Sequence, residues 1–192
     1  MKKIVEKTTI REAISWIIAL VIITTLLTSC SSSISTVAMI PDLKSMTDIR
    51  INKSVRIMEV IGGKESVFSS GFLIESYVTN EEFKKALIAT IEKSHIFKAV
   101  TDYDGDLDLY VTIKVQDYDR SFSFQVRSRL IVGYKFINKD GRLIWHESYL
   151  SEFSPAASPL SNAFTKSREG SIRENLSSFI EGISKRWPNN VD

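Results

Sequence analysis

Residues 107–116 alternate without a break. Leu107, Leu109, Val111, Ile113 and Val115 are apolar, and Asp108, Tyr110, Thr112, Lys114 and Gln116 stand between them. A period of two over ten residues predicts a strand with one buried face. Phe122, Phe124, Val126, Leu130, Val132, Tyr134 and Phe136 continue the beat, with Ser128 in phase. The opposite face of that second strand carries Ser123, Gln125, Arg127, Arg129, Ile131, Gly133 and Lys135. Asn138-Lys139-Asp140-Gly141 predicts a hairpin turn, because Asp-Gly supplies the positive φ such turns need. Residues 143–150 then read as the return strand. An earlier strand is expected over 54–60, closed by Ile61-Gly62-Gly63-Lys64. Residues 64–78 read as a long loop.

The period changes to helical in two places. Thr79 and Glu82 have capping-box spacing, with Asn80 as an alternative cap. Phe83, Ala86, Leu87, Thr90, Ile91 and Ser94 come next on one helical face. A longer helix is expected from about Leu160 to Trp187, with Ile172, Leu176, Phe179, Ile180, Ile183 and Trp187 as its apolar stripe and Pro188 as its stop. Its first half is unusually polar: Ser167-Arg168-Glu169-Gly170-Ser171-Ile172-Arg173-Glu174-Asn175 reads as an exposed stretch or a partner contact. Gly170 costs it helix propensity. Sheets with one polar face bury the other under helices. The expected fold class is therefore α+β, an antiparallel sheet of about four strands with two helices packed on one face.

The N-terminus carries a different pattern. Lys2, Lys3, Lys7 and Arg11, diluted by Glu6 and Glu12, precede an almost continuously apolar run from Ala13 to Leu27. The run is shorter than the ~20 residues that span a bilayer as a helix, so a cleaved secretory signal is expected rather than a permanent membrane helix. Cys30, the only cysteine of the 192 residues, closes Leu27-Thr28-Ser29-Cys30 at its end. All four positions match the lipobox, and the segment resembles the signal of bacterial lipoproteins. The resemblance implies cleavage before Cys30 and a thioether-linked diacylglycerol on its sulfur. Two or three acyl chains anchor stably where one does not. Ser31 stands where an Asp resembles an inner-membrane retention signal, which implies the inner leaflet of the outer membrane, facing the periplasm, in a Gram-negative cell.

This gives three expected segments: a signal peptide over 1–29, a lipidated tether over 30–46 with a serine-rich flexible start, and one periplasmic domain over 47–192. The last is large enough to bury a core without disulfides. The chain has 25 basic and 23 acidic side chains. Loss of four basic and two acidic ones with the signal leaves 21 of each, so no global basic field points to nucleic acid.

Candidate chemistry is sparse. His95 and His146 fall at a helix end and in a strand, and neither has a cysteine to share a metal with. Asp102, Asp104, Asp106 and Asp108 alternate around Gly105. The EF-hand needs its glycine at position six and a Glu at twelve; counted from Asp102, glycine comes fourth and Ile113 comes twelfth. The run reads as a solvated acidic turn. No nucleophile elbow, Walker loop or dinucleotide fingerprint is present. No cofactor, metal site or catalytic residue is expected. The remaining candidate is the polar sheet face, where Arg127, Arg129 and Lys135, with Lys114 nearby, could meet an anionic envelope lipid or simply keep the face solvated.

Gly62-Gly63-Lys64-Glu65, the Asn80–Leu87 helix start and the Arg168–Asn175 segment resemble a family of uncharacterised bacterial envelope lipoproteins. In architecture alone the chain is similar to the lipoprotein of the lipopolysaccharide-assembly translocon and to auxiliary lipoproteins of ABC-type lipid transporters. Fold-level likeness does not transfer function. The expectation is a non-enzymatic accessory lipoprotein that docks on an envelope transport or assembly complex or binds an anionic lipid. An envelope hydrolase with a scattered site and a purely structural tethered module are the alternatives.

Overall fold

The structure is a computed structural model. It describes residues 34–43, 49–69, 73–120, 125–156 and 160–188. The chain divides into two units, Met1–Ser32 and Ser33–Asp192, and every described residue belongs to the second. The signal peptide and Cys30 therefore lie outside the described residues, as do Phe122 and Phe124.

Among the described residues seven strands and three helices succeed one another: α1 (Thr36–Met39), β1 (Ile51–Ile61), β2 (Val67–Ser69), β3 (Leu73–Glu75), α2 (Asn80–Ser94), β4 (Phe97–Thr101), β5 (Leu107–Arg120), β6 (Val126–Asn138), β7 (Leu143–Phe153) and α3 (Leu160–Arg186). Five strands form one sheet in the order β4-β1-β5-β6-β7. β5, β6 and β7 are antiparallel neighbours, whereas β1 runs parallel to both β4 and β5.

The α+β class holds, but the expected antiparallel sheet of about four strands with two helices is corrected to a mixed sheet of five with three helices. The difference has a physical origin. α2 is a crossover that returns the chain parallel to β1, as the connection between parallel neighbours requires. β4 pairs with Ile51–Arg56 on one flank of β1, and β5 pairs with Val55–Ile61 on the other. The chain changes flank within residues 102–106, the acidic run. Asp106 accepts from the Ser54 amide and hydroxyl, both at 2.7 Å. Asp108 takes the Arg56 guanidinium in a fork at 2.9 and 3.0 Å. These carboxylates secure a strand switch. The stretch read as a long loop also contains order, since β2 and β3 pair antiparallel within it.

Local signals behave as the chemistry dictates. Thr79 and Glu82 close a reciprocal capping box on α2. The stripe Phe83, Ala86, Leu87, Thr90 and Ile91 is buried. Gly141 has φ of 78° in the β6–β7 turn. β6 keeps its alternation for its whole length: Val126, Ser128, Leu130, Val132, Tyr134 and Phe136 are buried, and Arg127, Arg129 and Lys135 are exposed. β5 does not. A bulge between Ile113 and Val115 shifts its register against β6, and an extra residue reverses the facing of every position beyond it. Gln116, expected outside, is therefore 1% exposed.

The core lies between the sheet and the two long helices. Phe136, Phe179, Tyr134 and Trp145 form its aromatic centre, with the Tyr134 and Phe179 rings stacked at 4.1 Å. The segment expected as a spacer up to residue 46 joins this core early. Ile34 and Met39 are buried in the same cluster, and α1 packs against both α2 and α3. The Ser35 amide donates to Glu169 of α3 at 2.7 Å, and Lys93 of α2 donates to the Pro41 carbonyl at 2.9 Å.

Candidate functional site

The polar half of α3 is the largest departure from the sequence reading. Ser167, Arg168, Ser171 and Asn175 are 0% exposed, so one face of the stretch expected at the surface is buried, while Glu174 stays exposed. They lie against the polar positions of β6 and β7. Ser171 meets the Ser128 hydroxyl at 2.8 Å, Ser167 donates to the Val126 carbonyl at 2.7 Å, and Asn175 accepts from Tyr134 at 2.7 Å while donating to the Tyr149 carbonyl at 2.8 Å. Buried polar groups must find partners, and here each does so across the helix–sheet seam. Ser128 in phase with apolar residues was the half of this seam visible in the sequence.

Arg168 is the centre of the seam. Its guanidinium donates to the carbonyls of Arg129 and Asp117, each at 3.2 Å, and to that of Ser76 at 3.4 Å. It stacks 4.7 Å from the ring centre of Tyr118 and 5.6 Å from that of Tyr77. The planar fork of an arginine suits this site because it divides its donors among three carbonyls while its faces meet the rings.

Above Arg168 a cleft of about 460 Å³ opens to solvent, lined by Glu75, Tyr77, Asp117, Tyr118, Asp119, Arg127 and Arg129. The Tyr77 hydroxyl donates to Glu75 at 2.9 Å. The Tyr118 hydroxyl donates to the Ser76 carbonyl. Burial, helped by Glu75 at Tyr77, pushes both phenols up to about 12. Both are therefore neutral hydrogen-bond donors at physiological pH. The rim has both signs of charge. Arg129 pairs with Glu152 at 2.8 Å, and Arg127 reaches the same carboxylate at 3.8 Å.

The open sheet face thus brings Arg127 and Arg129 together but not Lys135. Lys135 lies six residues further along β6, roughly 20 Å away at the rise of a strand, and sits over the Tyr110 ring at 5.1 Å. Lys114, the bulged residue, donates to Ser148 across Gly133 at 2.8 Å. Between these charged groups Val115, Ile131 and Leu150 stand in register across three adjacent strands. Leu150 is 57% exposed. The face is an apolar row with cations toward both ends of β6.

The remaining candidates have structural places. His95 caps α2 in the left-handed conformation with φ of 52°, and His146 is exposed on β7. Among the described residues no group of three or more His, Cys, Asp or Glu is disposed to hold a metal. Two further hollows, of about 410 and 320 Å³, share His95, Phe97 and Lys98 beside β4. Their polar lining residues Arg50, Asn52, Glu92, His95 and Lys98 all reach solvent. Sequence reasoning missed Tyr77, Tyr118 and Arg168. The available signal was Arg168 set among Ser167, Gly170 and Ser171, small residues that let a helix approach a sheet closely.

No protein-family model matches the chain, and no curated protein matches its sequence. A solved structure shares its fold, and others are similar to it in part. A DUF330-family protein from Xanthomonas campestris superposes with a TM-score of 0.58 at 9% identity, covering 76% of this chain and 93% of its own. A minor lipoprotein from Acinetobacter baumannii gives 0.45 at 9% identity, covering 69% and 93%. A lipoprotein from Neisseria meningitidis gives 0.41 at 11% identity, covering 69% and 99%.

Proposed function

We propose that this chain is a lipid-anchored, non-enzymatic accessory protein of the bacterial cell envelope. It is held by diacylglycerol on Cys30 and docks on an envelope transport or assembly complex through its open sheet face. The observation that carries the docking role is the row Val115–Ile131–Leu150, solvent-facing and flanked by Arg127, Arg129 and Lys135. An apolar strip with a charged surround is the composition of a protein contact surface. Of the residues that resembled chemistry, Asp106 and Asp108 fasten the strand switch and His95 caps a helix. The anchor rests on Leu27-Thr28-Ser29-Cys30 and the apolar run before it. In this reading the protein occupies the inner leaflet of the outer membrane, since Ser31 comes after the cysteine.

Two measurements test the proposal. Cys30→Ala should abolish fatty-acid labelling and membrane retention, and a variant that is still labelled removes the anchor. Crosslinking and then affinity purification from envelopes should recover an envelope complex with the native chain. Leu150→Asp with Arg129→Glu should lose that complex while the domain stays folded. Unchanged recovery rules out docking through the sheet face.

A further inference from the structure

We propose that the domain lies directly against the lipid surface through its helical side, with α1 at the contact and the open sheet face turned away from the membrane. The inference rests on the lipidation of Cys30 and adds an orientation to it. Ile34 is already part of the core, 7% exposed. It lies four residues after Cys30. Even fully extended, four residues reach about 14 Å. That is little more than the diameter of one helix, so the domain cannot be raised clear of the headgroups or turned over on a long leash.

The side from which the leash leaves is fixed. α1 packs on α2 and α3, and three polar contacts hold the segment there: Ser35 to Glu169 at 2.7 Å, Arg173 to the Ala38 carbonyl at 3.2 Å, and Lys93 to the Pro41 carbonyl at 2.9 Å. The chemistry at this place suits a lipid interface. Val37 of α1 is 78% exposed. Lys166, also exposed, stands one turn before Glu169 on α3. An apolar side chain can enter the headgroup region beside a lysine that meets lipid phosphate. The row Val115–Ile131–Leu150 lies on the far face of the sheet, with the helical layer of about 10 Å between it and the lipid.

The test uses the full-length lipidated protein in vesicles of phosphatidylethanolamine and phosphatidylglycerol that carry a headgroup nitroxide. Cys30 is consumed by lipid, so a fluorophore on Val37→Cys or on Leu150→Cys reports from a single site. Quenching should be several-fold stronger at position 37 than at position 150. A Gly/Ser insert of about ten residues between Ser33 and Ile34, adding roughly 17 Å of reach, should reduce that difference. Equal quenching at the two sites, with fatty-acid labelling intact, overturns the orientation and leaves the anchor standing. Absence of fatty-acid labelling overturns both.

Discussion

The Gly182 α-carbon of α3 lies so close to the Tyr149 hydroxyl of β7 that a methyl group there would overlap it. The same happens nearer the start of the helix, where a methyl on Gly170 would enter the Phe153 ring. Between the two, Asn175 donates to the Tyr149 carbonyl at 2.8 Å. Two notches and an amide thus align α3 with β7. Helix propensity alone says that Gly→Ala gains about 1 kcal/mol. The overlap reverses that sign. Gly182→Ala should lose about 1–3 kcal/mol, the range for overpacking, measured by urea unfolding. Tyr149→Phe removes the clashing oxygen, so the double variant should recover part of the loss. If Gly182→Ala is stabilising, the close approach is absent.

Arg168→Met should destabilise the domain by about 3 kcal/mol. It strips charge-assisted hydrogen bonds from three carbonyls, of which that of Ser76 keeps the Tyr118 hydroxyl, and a buried acceptor left without a partner costs about 1–3 kcal/mol. Arg168→Lys should rescue little, since an ammonium has neither the fork nor the flat faces. Denaturant midpoints of the two variants provide the comparison. A wild-type midpoint in Arg168→Met would show that the seam does not depend on this cation.

Alkaline stability is set by the buried phenols. Tyr118 ionises near 10 in the unfolded chain and is held up to about 12 in the fold, chiefly by burial. The neutral form is therefore the one the fold prefers. Its contribution is complete below pH 10 and is lost as the pH rises through 12. Tyr134, raised by burial in the same direction, adds to the trend. The thermal midpoint should fall steadily above pH 10, and Tyr118→Phe should make that fall shallower. A midpoint that rises over the same range would reverse the assignment.

Gln116 ties two distant loops. It accepts from the Val78 amide at 3.0 Å and donates to the carbonyls of Val78 at 3.2 Å and Gly62 at 3.3 Å. Gln116→Ala should cost about 1–3 kcal/mol and expose the Val78 amide to exchange. Hydrogen-exchange NMR reads that amide directly, and unchanged protection counts against the tie.

Thr79→Ala should cost about 1 kcal/mol, the worth of an N-cap, because its hydroxyl meets the Glu82 amide at 3.2 Å. The helicity of the folded protein should stay near that of the parent, so the loss appears in the unfolding midpoint.

The elements legible in the sequence share one property: their partners are near along the chain. The capping box is closed by residues three apart. β6 and β7 are joined by a tight turn, and the alternation of β6 survives intact. The features that escape a sequence reading depend on distant residues. The bulge at Lys114 turns Gln116 inward toward residues 62 and 78, which no local period encodes. β4 is five residues of FKAVT, too short for a period, and becomes a strand because β1 offers it an edge. The buried polar half of α3 looks like surface until Ser128 and Ser151 are brought opposite it. In the candidate site, Arg127 and Arg129 were legible from alternation. The cleft was not, since Tyr77 and Asp117 reach it from separate elements.

The position of β1 also has a temporal consequence. It is the first strand of the sheet in chain order, yet it occupies an interior place, between β4 and β5. Neither neighbour exists until residues 97–120 have been delivered. During synthesis, Ile51–Ile61 must wait with both edges unsatisfied until those residues have arrived. Contacts between strands far apart in the chain form slowly. The N-terminal strand thus depends on partners that come later in the chain, and its edges are most open to holdase capture, and to faulty strand exchange, in the interval before they arrive.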